Sequence, residues 1–142
     1  MAEIYSSLYK GKVHVTTPFK DSHQAIDLGN YKTRNPIYSP NKLGNGKVTY
    51  VATSYTSSGK TWANSLVVYI TYDKGFKSRM FHGQVNDQVV KVGDRVVPGK
   101  QVYRTGNTGN SKGDHLHYVL TDLNGKRLDP AKYVLNDEAP QG

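Results

Sequence analysis

Residues Val90–Pro130 read VKVGDRVVPGKQVYRTGNTGNSKGDHLHYVLTDLNGKRLDP, and most of what can be said of the architecture starts there. Short runs rich in Val, Tyr, Leu and Thr alternate with turn residues, the pattern of antiparallel strands. The segment predicts strands at Gln101–Arg104 and His115–Asp122, with turns at Pro98-Gly99 and Asn124-Gly125. Asn124-Gly125 is the strongest hairpin signal in the chain, because both residues tolerate positive φ. Thr105–Asp114 (TGNTGNSKGD) is a Gly-rich loop leading into the second strand. It either admits a substrate backbone closely or is a tight β-connection. It is not a phosphate loop, since the G-x-x-x-x-G-K-[ST] spacing is absent.

The same texture extends upstream. Strands are predicted near Gly46–Ala52, Leu66–Tyr72 and Ser78–Gln84, separated by Asn41–Lys47 and by Asp73-Lys74-Gly75. No segment sustains a 3.6-residue apolar period. A single short helix is expected over Asp129–Leu135, with Asp129 as cap and Pro130 at the first position. The fold class is therefore mainly β, a twisted antiparallel sheet with little helix. At 142 residues the chain makes one domain, residues 1–135, and Asn136–Gly142 (NDEAPQG) reads as the start of a linker.

Composition narrows the functional classes. No apolar run is long enough to span a membrane. The N-terminus carries no secretory signal as written, which fits a cytosolic protein, a trimmed chain or release by another route. With no Cys there is no disulfide framework. The net charge of +8 favours polyanionic partners, either nucleic acid or the anionic polymers of a bacterial wall. The basic residues are scattered and form no long run, which argues against a dedicated nucleic-acid arm.

Four of the five histidines fall into three separated motifs: His23 with Asp27 in SHQAID, His82 in MFH, and His115 with His117 in GDHLHY. Without Cys, imidazole and carboxylate are the strong zinc ligands that remain, and a catalytic zinc site is the reading. His115 and His117 lie on one face of a strand but about 6–7 Å apart along it, so one can bind metal while its neighbour acts on substrate. His23 and Asp27 are four residues apart, an i, i+4 pair if helical, although Asp27-Leu28-Gly29-Asn30 looks like a strand end or turn. Both geometries permit joint ligation. His14 lies outside every motif and is assigned no role. The motifs of zinc-helix proteases, zinc fingers and α/β-hydrolases are absent.

In order, these motifs resemble the lysostaphin-like zinc metallopeptidases, the β-lytic endopeptidases of bacterial peptidoglycan. The resemblance rests on Val90–Pro130, on Thr17-Pro18-Phe19 followed by HQAID at 23–27, and on Pro36-Ile37-Tyr38-Ser39-Pro40 leading to Gly46-Lys47-Val48. It covers about Thr16 to Val134. It implies an antiparallel sheet of the duplicated hybrid motif type, with loops forming a substrate groove. It also implies one zinc per chain held by His23, Asp27 and His117, with His82 and His115 catalytic. Which of those two handles the proton and which the oxyanion stays open. The bond implied is in the stem peptide or the cross-bridge of peptidoglycan, cut at the cell wall by a monomer with no nucleic-acid partner. With no signal, a basic surface and a linker-like tail, the expectation is the catalytic module of a bacteriophage endolysin. The alternative is a non-catalytic relative that binds wall or activates another hydrolase.

Three positions depart from the family pattern, and one tyrosine of that pattern is missing. Gly83 stands where Leu commonly follows the histidine, Asp114 where Pro commonly precedes the pair, and Val119 where Glu is common. No Tyr lies between Gly11 and His23, where relatives carry an oxyanion-assisting tyrosine. None of these changes removes a ligand. Asp114 is expected either to orient a histidine or to lie at the surface.

Overall fold

Alternation of side chains across strands builds the molecule. The computed structural model describes residues 4–30, 34–57, 59–85, 89–106 and 115–135. Its elements are β1 (Ile4–Ser6), β2 (Gly11–Thr17), β3 (Ile26–Gly29), β4 (Pro36–Tyr38), β5 (Gly46–Ser57), β6 (Lys60–Tyr72), β7 (Phe76–Gly83), β8 (Arg95–Val96), β9 (Gln101–Arg104), β10 (Leu116–Asp122), β11 (Arg127–Leu128) and α1 (Ala131–Val134). A nine-stranded antiparallel sheet runs β1-β2-β3-β10-β7-β6-β5-β8, with β11 added to β10, and β4 pairs with β9 in a second small sheet.

One face of the large sheet buries Ile26, Leu28, Leu66, Val68, Ile70, Met80, Leu116, Tyr118 and Leu120. These pack with Ile37, Val102 and Tyr103 of the small sheet into one core. Each such side chain taken fully out of water contributes about 1.5–3 kcal/mol, before the cost of ordering the chain. The Tyr72 hydroxyl within this core lies 3.1 Å from Ser39 Oγ, which ties β6 to the end of β4, and burial pushes that phenol up to about 12.

The mainly-β fold is as the sequence reads, and all five expected strands are present. β5 and β6 are much longer than their apolar centres, because the hairpin arms continue through polar residues. The helix is shorter than expected. Pro130, not Asp129, is its cap residue, while Asp129 Oδ1 accepts a hydrogen bond from Ala131 N–H at 3.0 Å. At Asn124-Gly125 only Gly125 uses positive φ (87°). The carboxylate of Asp122 holds the turn by accepting from the backbone N–H of Asn124 and Lys126 at 2.8 and 3.0 Å. Most of the Gly-rich loop (107–114), including Asp114, and the tail at 136–142 lie outside the described residues.

Candidate metal centre and active site

The face of the sheet opposite the core forms the floor of a groove of about 580 Å³. β10 supplies His117 and Val119, β7 supplies Arg79 and Phe81, β6 supplies Val67 and Tyr69, and β3 supplies Asp27. The two residues from each of β10, β7 and β6 are spaced by two, and the residue between them faces the core.

Register brings the ligand candidates together. His117 lies directly opposite Asp27 on one side and Phe81 on the other. His117 Nδ1 is 2.7 Å from Asp27 Oδ1, and His23 Nε2 is 3.3 Å from Asp27 Oδ2. Asp27 is thus a strand residue, and the helical i, i+4 geometry for His23 and Asp27 is not the one used. His23 precedes β3 and is fixed by a reciprocal backbone pair with Lys20, both N–H···O distances being 2.9 Å. Its Nδ1 faces the Pro18 carbonyl at 3.3 Å. A carbonyl only accepts, so Nδ1 can donate there, which leaves Nε2, on the Asp27 side, as the nitrogen available to a metal. Burial opposes ionisation of Asp27. The hydrogen bond to His117 and the nearby imidazoles of His117, His115 and His23 outweigh it and hold the carboxyl below its ordinary range. Asp27 is therefore an anion at neutral pH, the state a metal ligand requires.

The donor set fits zinc. The three ligand atoms lie within 4.8 Å of one another. Donors about 2.0–2.1 Å from a tetrahedral ion lie about 3.3–3.4 Å from each other, so small side-chain movements close the cage. Two imidazoles and one carboxylate leave a fourth vertex open, the arrangement of a catalytic zinc site rather than a structural one.

His82 and His115 stand beside this triad. Their ring centroids are 4.6 Å apart, and that of His82 is 6.0 Å from His117. Regular alternation after Phe81 would point His82 into the core. Instead His82 adopts φ 63°, the left-handed region, and its ring lines the groove along with Phe81. A non-glycine residue held there is strained, and neighbouring bonds keep it in place. The Tyr103 hydroxyl donates to the Phe81 carbonyl at 2.8 Å, and Gly106 N–H donates to the His82 carbonyl at 2.8 Å. Gly83 has a steric cause. A Cβ there would lie 2.2 Å from the Tyr103 ring and 2.9 Å from Leu66 Cβ. Tyr103 thus fills the space that a side chain after the histidine would need.

His14 is buried in β2 and does not line the groove. Three tyrosines that no motif marked do line it: Tyr50 and Tyr55 from β5 and Tyr69 from β6. The ring of Tyr55 is 5.4 Å from Phe81 and 5.9 Å from His82. The groove also takes Arg79 and Arg127. Their sequence signal was only β-strand alternation, which does not say which face looks onto a site.

A sequence profile of Peptidase family M23 matches residues 21–130. An uncharacterized metalloprotease of Haemophilus influenzae is 26% identical over 129 residues, taking in 91% of this chain and 24% of that protein. The chain therefore spans about a quarter of the length of the curated relative it matches. Among solved structures, a zinc containing peptidase from Vibrio cholerae superimposes with a TM-score of 0.63 at 26% identity, covering 82% of this chain and 35% of that one. A point mutant of the catalytic domain of the prophage-encoded M23 protein EnpA from Enterococcus faecalis gives 0.61 at 25%, covering 83% and 88%. The catalytic domain of lysostaphin from Staphylococcus simulans shares the fold, with a TM-score of 0.57 at 21% identity over 84% of this chain and 87% of that one.

Proposed function

The chain belongs to Peptidase family M23, and on that premise we propose that it is a zinc-dependent endopeptidase hydrolysing peptide bonds of bacterial peptidoglycan, in the stem peptide or the cross-bridge. The observation that carries this reading is the convergence of His23, Asp27 and His117 within 4.8 Å on the floor of a groove, with two further imidazoles alongside. The lysostaphin-like fold supports a wall substrate, and the kinship with a zinc containing peptidase supports the metal.

His23 Nε2, one oxygen of Asp27 and His117 Nδ1 would hold one zinc per chain. When bound, the ion supplies Lewis acidity, lowering the pKa of water and polarising a carbonyl. The other duties fall to His82 and His115. One imidazole takes the proton of the attacking water and returns it to the leaving amine. Its partner donates an N–H to the oxygen on which charge develops. Their 4.6 Å separation lets both reach one scissile peptide from the same side of the groove. The rings of Tyr55 and Phe81 put aromatic surface beside His82, which favours a reacting group with less water around it.

At finer resolution, residues 1–135 form the catalytic module of a bacteriophage lysin, followed by a linker starting at residue 136, and the module acts at the wall as a monomer. Likeness to a prophage-encoded M23 domain of nearly the same extent supports this, and the charge of +8 suits the anionic polymers of the wall. A non-catalytic relative would have no need of an intact ligand set beside two paired imidazoles.

The test is digestion of purified walls by zinc-loaded protein, with fragments identified by mass spectrometry. New amino groups that vanish with chelator and return with zinc are expected. No release from any crosslink type would refute the enzyme.

A further inference from the structure

Two guanidinium groups share the groove with the metal centre. Arg79 on β7 lies opposite Val119 of β10 and Tyr69 of β6, and Arg127 opens β11 opposite Thr121. β11 continues along the edge of β10 where β3 stops, so Arg127 flanks β10 on the side of Asp27 and Arg79 flanks it on the side of Phe81. Both line the same groove as His117. Arg79 is level with Val119, two residues beyond His117, and Arg127 with Thr121, four residues beyond it, so the two backbone positions lie about 7 Å and about 13 Å along β10 from the metal row.

Both side chains are held. Arg127 Nη1 donates to the Gln24 carbonyl at 2.8 Å, next to His23 in sequence. The Arg79 guanidinium lies over the Tyr69 ring, 5.0 Å from its centroid. Among the described residues neither arginine has a carboxylate partner: Asp27 faces His23 and His117, and Asp73 pairs with Arg95. Asp27 is also the one acidic residue among the described residues lining the groove. Partial burial and the charge of Arg79 hold Arg127 below its ordinary pKa. Two cations facing one cleft whose acidic residue among the described residues is engaged by His23 and His117 repel each other, and a bound anion relieves that repulsion.

We infer that Arg79 and Arg127 recognise a carboxylate of the substrate about two to four residues from the scissile bond. The enzyme then prefers acidic stem-peptide crosslinks to uncharged glycine bridges. This rests on the reading of the chain as a wall peptidase and adds to it the chemistry that selects the bond. The planar guanidinium fork donates to both oxygens of a carboxylate, which gives direction as well as attraction.

The test uses the zinc-loaded full chain and three synthetic probes. The first is a stem-peptide dimer joined by a D-alanyl bond to a diamino acid with a free carboxylate. The second is the same dimer with that carboxylate converted to a primary amide. The third is pentaglycine. The acid is expected to exceed the amide by about tenfold or more in kcat/KM, chiefly through KM. The double variant Arg79→Gln/Arg127→Gln should bring that ratio to within about threefold of unity, and Arg79→Lys/Arg127→Lys, which keeps the charge but not the fork, should give a ratio between the two. Both arginines are exposed, so the variants should melt with the parent protein. Equal turnover of acid and amide, a preference the glutamines leave intact, or cleavage of pentaglycine alone would overturn the arginine assignment while leaving the peptidase standing. Cleavage of none of the probes would overturn both.

Discussion

The two halves of the site are built by opposite means. On the β3–β10 side, plain sheet register does the work: Asp27 sits opposite His117, and each points into the groove because its neighbours Ile26, Leu28, Leu116 and Tyr118 are core residues. On the β7 side, register alone would turn His82 inward, and a left-handed backbone reverses it. The ligand half is thus anchored in the most ordinary part of the fold. The half proposed to handle protons depends on a local conformation held by Tyr103, Gly83 and Gly106. Damage to the first should remove metal. Damage to the second should leave metal bound and spoil chemistry.

The largest effect is expected from Asp27→Ala or His117→Ala. Each should lose zinc and activity together, to below about a thousandth of the parent rate, because the loss of one of three ligands removes the cage. Metal analysis after gel filtration, run beside a turnover assay, checks it. Next come His115→Ala and His82→Ala, which should keep a full complement of zinc and lose about 10²–10⁴-fold in kcat. If His115→Ala strips the metal, the division of labour within the pair is inverted.

Gly83→Ala sharpens the contrast further. The added methyl meets the buried Tyr103 ring and Leu66, and overpacking of this kind costs about 1–3 kcal/mol. A lower melting temperature with zinc retained and kcat reduced is expected. Loss of zinc would mean that the two halves are not separable. Tyr103→Phe should be mildest, removing the hydrogen bond to the Phe81 carbonyl for about 0.5–1.5 kcal/mol and lowering kcat only a few-fold. Denaturant unfolding and steady-state kinetics together measure it.

The same contrast explains what could be read from the sequence. Histidine is scarce here and chemically specific, so His23, His82, His115 and His117, with Asp27 beside the first, were visible as motifs before any geometry. The mainly-β class was visible from Val- and Tyr-rich runs. The strand carrying Asp27 was not: four residues with a carboxylate second and a glycine last look like a turn, and only pairing with both β2 and β10 makes them β3. The short strands β1, β4, β8 and β11 are likewise stabilised by pairing rather than by any pattern of their own. Tyr50, Tyr55, Arg79 and Arg127 carry no such signal, because being in a strand does not say which face looks onto the groove. The reason for Gly83 was hidden for a related cause, since the ring that excludes a side chain comes from residue 103.

Anomalous diffraction at the zinc edge on crystals of the zinc-loaded protein tests the central claim most directly. The account predicts one peak per chain, about 2.0–2.2 Å from His23 Nε2, an oxygen of Asp27 and His117 Nδ1, with His82 and His115 outside bonding distance. A peak ligated by His82 or His115 in place of His117, or no peak near Asp27 at all, would contradict it.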